Sequence, residues 1–335
     1  MSSYLKRRFL LTTSLFAAIA SSAQAGSFNA IYVFGDSLSD AGNAFIASGG
    51  ALPAPPYSAG RFTNGPVWVQ DLSSSLGLAP VTASLAGGTD YAVGGAESGN
   101  ANPGDLSSQL AAFKAANPVA NSNGLYTIWI GANDLNAILG ANPSASVAAA
   151  EAAGVVGNID AAINTLAGDG AKNFLIVTVP DLGKTPEALA AGPLGVAAAS
   201  GLSAFFDSTL VNGLGSAGIP SLSGIAAADG LNLNVLDTYS LIDGITANPA
   251  QFGFTNVMQP CLTGEVDYAG GTPCANPNQY LFWDQLHPTA AGQALVAEES
   301  LAILTPEPGT ITMMLTAAGM VGLVMVRRRR TDLLN

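Results

Sequence analysis

The sequence predicts an α/β domain, a parallel sheet with helices on both faces, and three observations carry that expectation. Short runs rich in β-branched and aromatic residues recur at 30–34, 125–130, 174–179 and 231–236, each bounded by Gly, Asn, Asp or Pro as buried strands are. Ala-rich stretches with helical spacing stand between them, at 106–116, 146–166 and 194–214. Strands that alternate with helices build a parallel sheet covered on two sides, because each crossover helix must lie against a face. A weaker run at 80–85 is a candidate fifth strand. No repeat or linker divides residues 26–304, which read as one domain, and a hydrophobic content of 49% supplies the material for its core.

The formal charge of −12 is unevenly spread. Seven of the eleven basic residues lie near the termini (Lys6, Arg7 and Arg8, then Arg327, Arg328, Arg329 and Arg330), which leaves residues 26–304 with four Lys and Arg against 21 Asp and Glu. Such a body repels a phosphate backbone, since nucleic-acid affinity rests on Lys and Arg displacing condensed counterions. Nucleic acid is thereby excluded as a partner.

The two ends read as addresses. Residues 1–25 hold a basic patch, an apolar run over 9–20 and then Ala23-Gln24-Ala25, the layout of a signal peptide cut by signal peptidase before Gly26. That run is too short to span a bilayer core of ~30 Å. At the other end Pro306-Glu307-Pro308 precedes an uncharged stretch, 309–326, and the four arginines. As a helix the stretch is about 27 Å long, near the lower limit for a span, and the arginines hold that end in the cytoplasm. The tail, 305–335, resembles the PEP-CTERM sorting signal, and the resemblance implies an exosortase-type sorting enzyme as a partner. The alternative reading of the tail is an ordinary membrane anchor, and both readings export the body, to the periplasm, cell surface or medium. In an oxidising compartment Cys261 and Cys274, the only cysteines, are expected to form one disulfide. One histidine and no second Cys pair argue against a metal site.

In sheets of this kind the reactive groups sit beyond the carboxyl ends of the strands. The loops there hold Gly35-Asp36-Ser37-Leu38-Ser39-Asp40, Gly131-Ala132-Asn133-Asp134 and, near the end, Asp284-Gln285-Leu286-His287-Pro288-Thr289. His287 is the only histidine, and an unperturbed pKa near ~6.5 makes imidazole the default proton shuttle at neutral pH. Asp284, three residues earlier, is placed to fix the imidazole tautomer through Nδ1, and Pro288 suits the first position of a helix running to Leu304. Ser37 is a candidate nucleophile; by residue type alone it is equally an N-cap serine. Acyl transfer also needs oxyanion donors, for which Asn133 offers a carboxamide and Gly94 an unobstructed backbone N–H. Singly, these two read as a turn residue and a tight-packing glycine.

Residues 213–218 fit G-x-G-x-x-G, but they follow a helical segment where a dinucleotide site needs a strand, so they read as a helix end. Leu182-Gly183-Lys184-Thr185 lacks the upstream glycine of a phosphate loop. The absence of G-x-S-x-G argues against an α/β-hydrolase elbow.

The segment Phe34-Gly35-Asp36-Ser37-Leu38-Ser39-Asp40-Ala41-Gly42-Asn43 resembles the nucleophile block of the GDSL (SGNH) esterases and lipases. Tyr91-Ala92-Val93-Gly94-Gly95-Ala96 is similar to their oxyanion-glycine block, Gly131 to Asp134 to the Asn block, and Asp284 to Thr289 to the Asp-x-x-His block, in the same order. The resemblance implies a three-layer α/β/α sandwich with a five-stranded, flavodoxin-like parallel sheet. It implies Ser37 as nucleophile, His287 as base and Asp284 as its partner, with no cofactor and no metal. The oxyanion hole it implies comprises the Ser37 N–H, Gly94 and Asn133, Gly94 being preferred to Gly95 by block alignment. Asp90 departs from the pattern, since close relatives often carry Asn before the aromatic residue.

The function expected is therefore a secreted serine esterase or lipase acting on a carboxylic ester through an acyl-enzyme. Acyl lipids, acylated glycans and small esters present the same carbonyl, so the substrate stays open among them. The Gly- and Pro-rich insertions at 46–66 and 252–278 are the segments expected to shape the pocket. The competing reading is a non-catalytic glycan- or lipid-binding protein of the extracellular matrix, which gives no reason for four catalytic blocks in order.

Overall fold

The computed structural model describes residues 28–265 and 268–305, so the signal peptide expected over 1–25 and the tail from 306 onward lie outside them. Its centre is a parallel sheet of four strands, β1 (Ile31–Gly35), β2 (Leu125–Trp129), β3 (Asn173–Val177) and β4 (Asn232–Leu236), hydrogen-bonded in that order. Register is regular, with Ile31 opposite Leu125, Leu125 opposite Asn173 and Asn173 opposite Asn232.

Among the described residues ten α-helices lie around it: α1 (Asn43–Ala47), α2 (Trp68–Ser75), α3 (Leu106–Ala116), α4 (Ala132–Ala141), α5 (Ala145–Gly168), α6 (Pro186–Ala190), α7 (Gly192–Asn212), α8 (Leu222–Asp229), α9 (Thr238–Ala247) and α10 (Ala290–Leu304). Alternate strand side chains point to opposite faces, and both faces are covered. Phe34, Tyr126, Ile128 and Phe174 pack against α3, α5 and α7 through residues such as Phe113, Ile159 and Phe206. Val33, Trp129, Leu175 and Val177 pack on the other side against Trp68 and Leu72 of α2 and Val296 of α10. The result is a three-layer sandwich.

Two local expectations are corrected. The sheet has four strands rather than five, and residues 80–85 do not join β1. The outer position beside β1 is held instead by residues 89–93, where the Val33 N–H donates to the Thr89 carbonyl (3.1 Å) and the Tyr91 N–H to the Val33 carbonyl (2.8 Å). That pairing stops at a single parallel bridge, Val33 with Asp90. Turns at 87–88 and 94–95 leave too little chain for a ladder, and Asp is a poor strand former. With this segment counted, the order across the sheet is still that of a flavodoxin-like fold, and β1 sits where the winding reverses. The second correction concerns Pro288, which is not the first residue of α10. Thr289 is the N-cap, its hydroxyl accepting the Gly292 N–H (3.2 Å), and Pro288 bridges to Phe282 instead.

Residues 213–218 form the end of α7 and a turn, with Gly213 and Gly218 at positive φ. Between α9 and α10 the chain makes an excursion of short strands: β5 (Asn256–Pro260), β6 (Leu262–Thr263), β7 (Thr272–Pro273) and β8 (Tyr280–Phe282). β5 pairs with β8, β6 pairs with β7, and Cys261 and Cys274 are joined in a disulfide beside that hairpin.

Candidate active site

The loop after β1 starts at a glycine because nothing larger fits: a Cβ on Gly35 would collide with the carbonyl oxygen of Trp129 on β2. Gln109 of α3 clamps the same residue, accepting its N–H (2.9 Å) and donating to its carbonyl (2.7 Å). The chain then turns tightly, the Asp36 carbonyl accepting the Ser39 and Asp40 N–H groups and Asp36 Oδ1 accepting that of Leu38 (2.9 Å). Ser37 lies within this turn, six residues before α1, and so is not a helix cap.

From the other end of the domain, the turn between β8 and α10 delivers Asp284 and His287. His287 Nε2 is 2.7 Å from Ser37 Oγ, and His287 Nδ1 is 2.7 Å from Asp284 Oδ2. The other carboxylate oxygen, Oδ1, accepts the backbone N–H groups of Leu286 (2.8 Å) and His287 (2.7 Å), which fixes its plane. Phe62 and Tyr268 flank the imidazole, with ring centroids 5.4 and 5.5 Å away. Both insertions singled out in the sequence thus reach the site.

Burial and neighbouring charge act on the imidazole in opposite directions. Burial favours neutral His287, but Asp284, with Asp36 behind it, outweighs burial and raises its pKa above the ordinary value. Asp284 moves the opposite way: burial opposes its charge, yet His287 and the two backbone donors hold it below the usual carboxylate range. Asp36 is fully buried with Oδ2 unpartnered among the described residues, and burial pushes it up to about 7.

Asn133 sits in the first turn of α4 and donates one Nδ2 hydrogen to the Ala96 carbonyl (2.9 Å), which orients the carboxamide and leaves its second hydrogen unspent. Gly94 is placed differently from expectation. Its N–H already donates to Asp40 Oδ2 (2.8 Å), whereas the amide of Gly95, at φ 79°, has no partner among the described residues. Gly95 therefore replaces Gly94 as the available donor. The Ser37 amide is likewise uncommitted among the described hydrogen bonds.

Asp40 was not singled out by sequence, yet it also accepts the N–H groups of Gly42, Asn43 and Ala44, so one carboxylate caps α1 and holds the glycine loop. Asp90 stitches the same two loops, accepting from Ala41 (2.6 Å) and Ala92 (2.9 Å), so the acid found there uses both oxygens as acceptors. Tyr57 and Glu265, also unforeseen, stand directly behind Asp284.

Ser37, Asn133, Leu182, Ile242, Leu281 and His287 line a cavity of about 50 Å³ at the carboxyl end of the sheet. At Asn136, Leu182 and Thr185 it adjoins an open groove of about 770 Å³, whose walls are apolar residues of α5 and α7 such as Ala148, Leu194 and Phe205.

Residues 31–300 match the family described as GDSL-like Lipase/Acylhydrolase. The chain is similar to the thermolabile hemolysin of Vibrio parahaemolyticus, 30% identical over 83% of this chain and 64% of that protein. It is also similar to the phosphatidylcholine-sterol acyltransferase of Aeromonas hydrophila, 28% identical over 83% of this chain and 90% of the relative. Among solved structures, the acetylxylan esterase Axe2 of Geobacillus stearothermophilus is 16% identical over 83% of this chain and 95% of its own, with a TM-score of 0.42.

Proposed function

Because the chain belongs to the GDSL-like lipase/acylhydrolase family and is a carboxylic ester hydrolase, we propose that it works through Ser37, His287 and Asp284 by way of an acyl-enzyme. The observation that carries this reading is the unbroken run from Ser37 Oγ through both imidazole nitrogens to Asp284, with two contacts of 2.7 Å. As Ser37 Oγ bonds to the substrate's carbonyl carbon, its proton passes to Nε2, and Asp284 stabilises the imidazolium that forms. The carbonyl oxygen becomes an oxyanion, held by the N–H groups of Ser37 and Gly95 and by the free Nδ2 hydrogen of Asn133. Collapse breaks the bond to the alcohol, which leaves with the Nε2 proton. Water then repeats the sequence on the Ser37 ester and releases the carboxylic acid.

The apolar cavity and the groove beside it favour an acyl group or lipid as the part that is buried, since apolar walls gain by removing hydrocarbon from water. The phosphatidylcholine named for the Aeromonas relative has the same chemical character. The leader motif at 1–25 and the Pro-Glu-Pro tail support export of the body, with signal peptidase and a sorting enzyme acting on the two ends. A disulfide suits that compartment.

The test is hydrolysis of p-nitrophenyl acyl esters of increasing chain length by the purified protein. Turnover with a pre-steady-state burst, abolished in Ser37→Ala, is the expected result. Undiminished turnover in Ser37→Ala removes the serine mechanism.

A further inference from the structure

Behind the triad lies a second contact chain. Tyr57 is 4% exposed, and its hydroxyl stands 2.8 Å from Asp284 Oδ2 and 2.6 Å from Glu265 Oε1. Two oxygen pairs at these separations make two hydrogen bonds, and each bond needs its own hydrogen. A phenol brings one. Burial and then the charge of Asp284 push the Tyr57 phenol far above the usual tyrosine value, so it keeps that hydrogen at any working pH. Asp284 brings none, because two backbone N–H groups on Oδ1 and the imidazole on Oδ2 hold it as the carboxylate. The second hydrogen therefore belongs to Glu265.

Resting on the triad reading above, we infer that Tyr57 and Glu265 are positioning residues: Glu265 holds a proton and donates it to Tyr57, and Tyr57 donates its own to Asp284. The arrangement keeps a second negative charge away from the phenol and fixes the oxygen of Asp284 that meets His287 Nδ1. Among the described residues the groups around Glu265 are Asp284 and His287 across Tyr57, and the Tyr268 N–H, which donates to Glu265 Oε1 (3.1 Å). Asp36 stands near the imidazole as a further carboxyl. Burial raises Glu265 above its ordinary value; the Tyr57 contact and the Tyr268 N–H oppose that, the charge of Asp284 adds to it, and burial prevails. Both residues come from the insertions, and Glu265 is carried between Cys261 and Cys274.

The experiment compares wild type with Glu265→Gln, Glu265→Leu and Tyr57→Phe in the full-length, disulfide-bonded protein, using a p-nitrophenyl acyl ester across pH. Glutamine offers an N–H where the protonated acid offers an O–H, and its nitrogen fails only to accept the Tyr268 N–H, so Glu265→Gln should keep kcat within about threefold and leave the acid limb in place. Glu265→Leu and Tyr57→Phe should each lower kcat roughly tenfold with KM little changed, and the double variant should lose little more than either single one. A limb moved down by about half a unit or more in Glu265→Gln means that a negative charge was removed, and overturns the proposal. Full kcat in Glu265→Leu overturns it as well, and does not depend on the buried Tyr57→Phe variant folding. An infrared difference spectrum of wild type against Glu265→Gln gives a readout without turnover, because a neutral carboxylic acid shows a C=O stretch that a carboxylate lacks. That band in a protein that hydrolyses no ester would sink the enzymatic reading while leaving the proton assignment standing; its absence sinks the assignment alone.

Discussion

The Gly94 N–H donates to Asp40 Oδ2 at 2.8 Å, across 54 positions of sequence. This bond ties the loop that follows the nucleophile to the loop that faces it, and it removes Gly94 from the set of groups able to receive an oxyanion. Asp40→Ala should therefore lower kcat/KM by roughly 10²-fold although Asp40 touches no reacting atom, because a small misplacement of the donors is costly. Kinetics on folded protein check this, and a variant within about threefold of wild type would show the loops to be held by other means.

Ser37→Ala and His287→Ala should each reduce ester turnover by several orders of magnitude, and the double variant should lose little beyond either one, since the members act as a unit. Asn133→Ala should cost roughly 10²- to 10³-fold in kcat. Losses that multiply in the Ser37/His287 double variant would separate the two residues mechanistically.

The pH dependence follows from the direction of the His287 shift. A raised pKa keeps the imidazole protonated to higher pH, and the protonated form accepts nothing from Ser37, so kcat/KM should rise along a limb centred above ~6.5. Asp36, itself pushed up to about 7, titrates in the same range and favours the imidazolium when ionised. Asp36→Asn should move the limb to lower pH. A limb that stays put in that variant would detach Asp36 from the base.

Replacing both Cys261 and Cys274 by Ser should lower the melting temperature. Closing a loop of about 15 residues is worth ~3 kcal/mol in the chain-entropy model, or roughly 5–10 °C for a domain of this size. Activity should fall in parallel, because the enclosed loop carries Glu265 and Tyr268 to the back of the triad. Calorimetry with a thiol titration of the parent protein reads both; two titratable thiols in the folded parent would remove the premise.

The sheet was legible because its strands are continuous apolar runs with clean boundaries, and the Ser37, Asp284 and His287 cluster because a single histidine in a loop leaves few choices. The segment 89–93 was not, since Asp90 and the flanking glycines hide a strand-like path whose role is to carry hydrogen bonds to β1. The choice between Gly94 and Gly95 turns on which N–H a distant aspartate consumes, a fact that exists only in three dimensions. Tyr57 and Glu265 lie in insertions without periodicity, and only their convergence on Asp284 marks them out.

His287 and Ser37 lie 250 positions apart, and the helix following His287 is seated by long-range bonds to the start of the domain: Gln293 Oε1 accepts the Trp68 N–H (3.0 Å), and the Ala290 N–H donates to Asn64 Oδ1 (2.7 Å). Contacts of such separation are costly to close and form late. The nucleophile loop is thus translated long before its base, and a chain still emerging from synthesis holds half a catalyst. Return of turnover during refolding should lag behind the far-ultraviolet signal of the helices and keep pace with the burial of Trp68, which makes ester hydrolysis a clock for the docking of α10.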